Sequence, residues 1–87
     1  MGADSVEKFN KMTKSSLIQA SRRSREIIAE WLKESRTKAE LSQENLANLA
    51  GIDRKTINRI ENGHFSPSVD TLTRISAVLG KKIPQLV

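Results

Sequence analysis

An all-α fold is predicted by three observations. Apolar residues recur at three- and four-residue steps, aromatic residues make up only 3% of the chain, and capping residues and glycines punctuate it at short intervals. No stretch shows the two-residue alternation of a half-buried strand. A core of Ile, Leu, Val and Ala with few aromatics suits short packed helices, and 87 residues make one small domain. There is no cysteine, hence no disulfide framework, zinc finger or thiol chemistry, and the single histidine cannot build a multi-histidine metal site. No apolar run approaches the roughly 20 residues that cross a bilayer, and the N-terminus lacks the apolar segment of a secretory signal. The expectation is a cytoplasmic protein without cofactor or metal. Ser, His and acidic residues are all present, but nothing places them as a triad, so no enzyme is expected.

The elements follow in order. Residues 1–20 form a basic N-terminal extension, flexible or partly helical. Lys8, Lys11 and Lys14 spread along its polar start, and Val6, Phe9 and Met12 recur every three residues. The domain proper is expected over residues 21–87. Its first helix reaches Lys38 with Ile27, Ile28, Trp31 and Leu32 on one face. The polar run Ser21-Arg22-Arg23-Ser24-Arg25 precedes that face, so this helix is expected to begin near Ser21 or Ser24. Ser42 is an N-cap for a short helix with Leu46, Ala47, Leu49 and Ala50 as its apolar positions, stopped by Gly51. Asp53 is a second N-cap, and Ile57 and Ile60 form the stripe of a helix that stops at Asn62-Gly63. After the turn Ser66-Pro67-Ser68, Ser68 caps a helix with Leu72, Ile75, Ser76 and Leu79 inward, ended by Gly80. Ile83 to Val87 adds a final turn with Pro84 at its start. The total is about five helices.

Two of these short helices carry the functional expectation. A tight turn at Gly51 between them is the geometry of a helix-turn-helix over about residues 43–62. Close crossing needs a small side chain, supplied by Ala47, and the turn needs positive φ, supplied by Gly51. Ile57 and Ile60 pin the second helix, with Leu46, Ala50 and Ile52 beneath. Arg54, Lys55, Asn58, Arg59 and Asn62 then remain outside, with Lys55, Arg59 and Asn62 on one face. Arginine bridges guanine O6 and N7, and asparagine bridges adenine N6 and N7. Arg54, Lys55 and Arg59 are therefore candidate base readers, together with Asn58. The net charge of +5 fits a polyanionic partner.

The run Leu41-Ser42-Gln43-Glu44-Asn45-Leu46-Ala47, then Gly51-Ile52-Asp53, then Thr56 to Gly63, then Pro67-Ser68 and Thr71-Leu72 resembles the Cro/cI-type (XRE-like) helix-turn-helix family. The resemblance covers about residues 25–86. It implies a compact, lambda-repressor-like bundle that binds operator DNA, usually as a two-fold homodimer on a palindromic site. It places phosphate contacts on Gln43, Thr56, Asn62 and His64, with Gln43 also bracing the second motif helix and Asn62 acting with the backbone around Gly63 and His64. It pairs Arg36 with Glu61 as a partly buried, structural ion pair. Glu40 stands where the family often has a glycine closing the first helix, so that helix ends differently or runs on. Lys81 stands where many members bury an aliphatic residue, which puts the last helix in doubt. The basic residues Lys8, Lys11, Lys14, Arg22, Arg23 and Arg25 resemble the DNA-wrapping arms of some repressors, against the alternative of a disordered tail.

The sequence thus points to a sequence-specific transcriptional regulator, a repressor in the first instance. Two alternatives stay open: the antitoxin of a toxin–antitoxin pair, whose partner is a toxin and which represses its own operon, and the N-terminal DNA-binding part of a longer regulator.

Overall fold

The computed structural model describes residues 14–86, which hold four α-helices and no strand. These are α1 (Lys14–Lys38), α2 (Gln43–Ala50), α3 (Arg54–Glu61) and α4 (Val69–Leu79). α1 packs on α3, α3 on α2, and α2 on α4. Ile28 and Leu32 of α1, Leu46 and Ala47 of α2, Ile57 and Ile60 of α3, and Leu72 and Ile75 of α4 meet in one core. Trp31, Leu41, Ile52, Phe65, Val78, Leu79 and Leu86 close around it. The predicted inner faces are largely those that pack, but Ile27 is half-buried outside this core and Leu49 stands 63% exposed at the end of α2.

The four helices share one way of stopping. After each, a backbone N–H two or three residues beyond the helix reaches back to a carbonyl of the last turn: Leu41 to Arg36 at 3.1 Å, Ile52 to Ala47 at 2.9 Å, His64 to Arg59 at 3.2 Å, and Lys81 to Ser76 at 3.2 Å. This closure requires a left-handed residue just before it. Glycine supplies that residue at the ends of α2, α3 and α4. At the end of α1 it is Glu40, with φ +58°. The helix therefore ends where the family places a glycine, despite the glutamate.

The starts are less uniform. Ser42 Oγ accepts from Asn45 N–H at 3.0 Å, and Ser68 Oγ accepts from Thr71 N–H at 3.1 Å. Asp53 has the extended backbone of a cap, but its side chain makes no capping bond. Its carbonyl accepts instead from Thr56 and Ile57, and its charge still suits the positive helix start.

Two expectations change. α1 does not wait for Ser21 or Ser24: it is helical from Lys14, so residues 14–20 of the extension are a continuation of the helix. Residues 14–23 are all exposed, and local bonds accompany the helix there. Ser24 Oγ donates to the Ala20 carbonyl at 3.1 Å, and Arg25 Nη1 donates to Ser21 Oγ at 3.0 Å. Residues 1–13 and 87 lie outside the described residues, and with them Lys8, Lys11 and the Val6-Phe9-Met12 pattern. The final turn expected from Ile83 is not helical over its described residues. Such a short segment cannot offset the cost of helix nucleation. Leu86 packs against the core without it, and Lys81, whose carbonyl accepts from Ser76 Oγ, is exposed.

Candidate nucleic-acid interface

The site is built on α3. Ile57 and Ile60 are fully buried and Glu61 nearly so, which fixes the rotation of the helix and leaves one face outward. On that face Arg54, Lys55, Asn58 and Arg59 are exposed, and with Asp53 they line a shallow open depression. Among the described residues no acidic side chain pairs with Arg54, Lys55 or Arg59; the ion pairs are Arg36–Glu61 and Arg74–Asp70. The structure thus brings the four expected base readers together as three cations outside any ion pair, around one amide.

The turn before α3 has the expected geometry. Gly51 sits at φ +68°, ψ +40°, and Arg74 Nη1 donates to its carbonyl at 3.4 Å. Ala47 is 2% exposed where α2 crosses α3.

Behind the outward face lies a hydrogen-bonded network. Arg36 grips Glu61 with two donors, Nε to Oε2 at 2.6 Å and Nη2 to Oε1 at 3.0 Å, and gives a third, Nη1, to the Leu41 carbonyl at 2.8 Å. Glu61 holds the Arg36 guanidinium above its ordinary pKa, through the hydrogen bond first and the charge second, against an opposing effect of burial. Gln43 Nε2 donates to Glu61 Oε1 at 3.1 Å, Asn58 Nδ2 donates to Gln43 Oε1 at 3.3 Å, and Asn62 Nδ2 donates to Asn58 Oδ1 at 3.0 Å. Gln43 therefore ties the start of α2 to both the inner and outer edges of α3. Asn58 is engaged at both ends of its amide, which its position in the sequence alone did not reveal.

The residues expected at phosphates lie around the same helix. Thr56 is half-buried with its N–H on the Asp53 carbonyl, while the side chains of Asn62 and His64 are exposed. The backbone N–H groups of Gly63 and His64 are taken by the carbonyls of Ile60 and Arg59. A phosphate grip in this loop thus falls to the side chains of Asn62 and His64. A further contact was not legible in the sequence: Arg25 Nε donates to the Gly63 carbonyl at 3.3 Å, pinning this loop to α1. No local pattern signals a bond across 38 residues.

A buried-backed, cationic second helix after a glycine turn defines a helix-turn-helix DNA-binding domain. Residues 32–86 match the helix-turn-helix family, and the chain belongs to its Cro/cI-type (XRE-like) group. It is similar to an HTH-type transcriptional regulator of Methanothermobacter thermautotrophicus, with 39% identity over 59% of this chain and 74% of that protein. A second such regulator, from Archaeoglobus fulgidus, is 36% identical over 63% of this chain and 78% of its own length. The SPbeta prophage-derived HTH-type regulator YonR of Bacillus subtilis is 37% identical over 62% of this chain and 50% of its own length. No solved structure matches. The protein is a DNA-binding transcriptional regulator, and among the described residues no helix is long and apolar enough to cross a membrane.

Proposed function

We propose that α3 enters the major groove of operator DNA, where Arg54, Lys55 and Arg59 read base edges with Asn58 beside them. Gln43, Thr56, Asn62 and His64 face the flanking phosphates. The single observation that carries this reading is the set of three unpaired cations on the outer face of a helix whose inner face is wholly buried. The free energy of phosphate neutralisation then holds the complex, and base contacts select the site. The regulator acts in the cytoplasm as a repressor, a homodimer on a palindromic site whose half-sites lie about 34 Å apart, one helical turn. Residues 21–87 are the DNA-binding unit and residues 1–20 its basic extension.

Selection of bound sequences from a random duplex pool tests the reading. A palindromic consensus supports both sequence recognition and dimer binding. An unenriched pool sinks it and shifts weight to a second reading, a protein-interaction module whose partner is a toxin, as in the antitoxin half of a toxin–antitoxin pair. Leu17 and Ile18, 51% and 57% exposed on the outer half of α1, are the observation that favours that alternative. Co-purification with the product of a neighbouring toxin-like gene is its check.

A further inference from the structure

The hydrogen bonds running from α1 across the start of α2 to the outer face of α3 form one chain with one sense. A carboxylate gripped by an arginine can only accept. Glu61, its side chain 2% exposed and held by two donors of Arg36, therefore requires Gln43 to turn its Nε2 inward. The Gln43 oxygen then points to Asn58 and accepts from its Nδ2. This turns the Asn58 oxygen toward Asn62, whose Nδ2 donates to it. Rotating one amide by a half-turn sets oxygen against oxygen. Rotating all three sets the Gln43 oxygen against a buried carboxylate, the most costly mismatch of the set.

What faces outward is thereby fixed. Asn58 keeps one N–H and one carbonyl lone pair, in an order it cannot reverse by itself, and Asn62 offers its oxygen and its remaining N–H. Base edges in the major groove are ordered patterns of donors and acceptors, so a base pair and its reversal present opposite orders. We propose that Glu61, acting through Gln43, is a positioning residue that sets the donor–acceptor order in which Asn58 and Asn62 meet DNA. The proposal rests on the DNA-reading function of α3, and its tests separate the two.

The first test needs no DNA. The substitution Asn58→Asp sets a second acceptor against the Gln43 oxygen. Arg54 one turn before favours the new carboxylate, whereas Glu61 three residues on and the C-terminal half of α3 oppose it, and these effects are present with or without Gln43. Asn58→Asp is therefore expected to lower the unfolding midpoint by about 4–8 °C with Gln43 present, the shift that one lost hydrogen bond produces in a domain this size. In a Gln43→Met background the same change is expected to lower the midpoint by clearly less, because only the charge effects remain. An equal shift in both backgrounds overturns the proposal.

The second test uses the selected duplex. The base pair facing Asn58 is assigned by the preference that Asn58→Ala loses. Reversing that pair is expected to weaken wild-type binding by about 10-fold. Gln43→Met, and separately the neutral pair Arg36→Met with Glu61→Gln, should shrink that ratio to within about 3-fold, while preferences at pairs facing Lys55 and Arg59 persist. Retention of the full ratio in either variant overturns the proposal, however much overall affinity falls. Absence of any enriched sequence for the wild type overturns the DNA reading, and the thermal cycle then judges the chain of amides by itself.

Discussion

Glu40 holds a left-handed backbone, at φ +58°, in a chain whose other three helix ends place glycine there. For a residue with a Cβ this conformation costs roughly 1–2 kcal/mol, while glycine loses up to about 1 kcal/mol more backbone entropy on folding. Glu40→Gly is therefore expected to stabilise the domain by about 0.5–1 kcal/mol, read as a raised unfolding midpoint. The sequence shows that this position departs from the family. It does not show whether the helix stops, because the stop depends on Leu41 reaching the Arg36 carbonyl. Arg36 itself offers the opposite lesson. Its side chain is 17% exposed and that of Glu61 only 2%, so Arg36→Ala strands a buried carboxylate. The expected loss is about 3–5 kcal/mol in denaturant unfolding. Arg36→Lys should recover only part of it, because an ammonium cannot reproduce the two-pronged grip. The raised pKa of Arg36 means its contribution is fully present below the ordinary arginine value and is lost only as pH rises through the higher folded value. Stability is thus not expected to titrate through Arg36 at any neutral pH.

At the scale of the element, α3 binds together what the sequence showed and what it hid. Its apolar pair, its bounding Asp53 and Asn62-Gly63, and its cationic outer face all follow from spacing, because a short helix with two buried isoleucines has one way to turn. Its tie to α2 was legible only through the resemblance, since the 18-residue separation of Gln43 and Glu61 erases any local signal. The Asn58–Asn62 bond lies at a four-residue step that can be read from sequence, yet its sense follows only from the buried Glu61. The early start of α1 was hidden for another reason: residues 14–23 are all exposed, and the polar run Ser21 to Arg25 separates Leu17-Ile18 from the apolar face that begins at Ile27. For function, Arg59 is the sharpest probe of α3. Arg59→Ala is expected to relax specificity at one base pair by about 1–3 kcal/mol in competition binding with single-substituted duplexes. Uniform weakening on every duplex would reassign Arg59 to a phosphate.

For the whole molecule, the controlling quantity is where its excess of positive charge lies. The chain carries 15 Lys and Arg against 10 Asp and Glu, but the distribution matters more than the balance. The stretch from Lys14 to Arg25 holds four cations and no acid, and Arg25 anchors that end of α1 to the loop following α3. The exposed half of α1 and the outer face of α3 therefore present positive charge from two elements that pack together and are tied again by Arg25. Counterion release makes such a surface sensitive to ionic strength, with the logarithm of affinity falling by about 0.9 per neutralised phosphate for each unit of log salt. A dimer making about 6–10 such contacts is expected to lose about 10³–10⁵-fold in affinity between about 50 and 200 mM salt. Measuring the slope for the full chain and for residues 21–87 then locates the charge in use. Any phosphate held by Lys8, Lys11 or Lys14 lowers the slope by about 0.9 when the extension is removed. The unfolding midpoint should stay within about 4 °C of the intact value, because no residue of the described part of the extension is buried. A flat salt response in both proteins would show that the cationic face of α3 is not what holds the DNA.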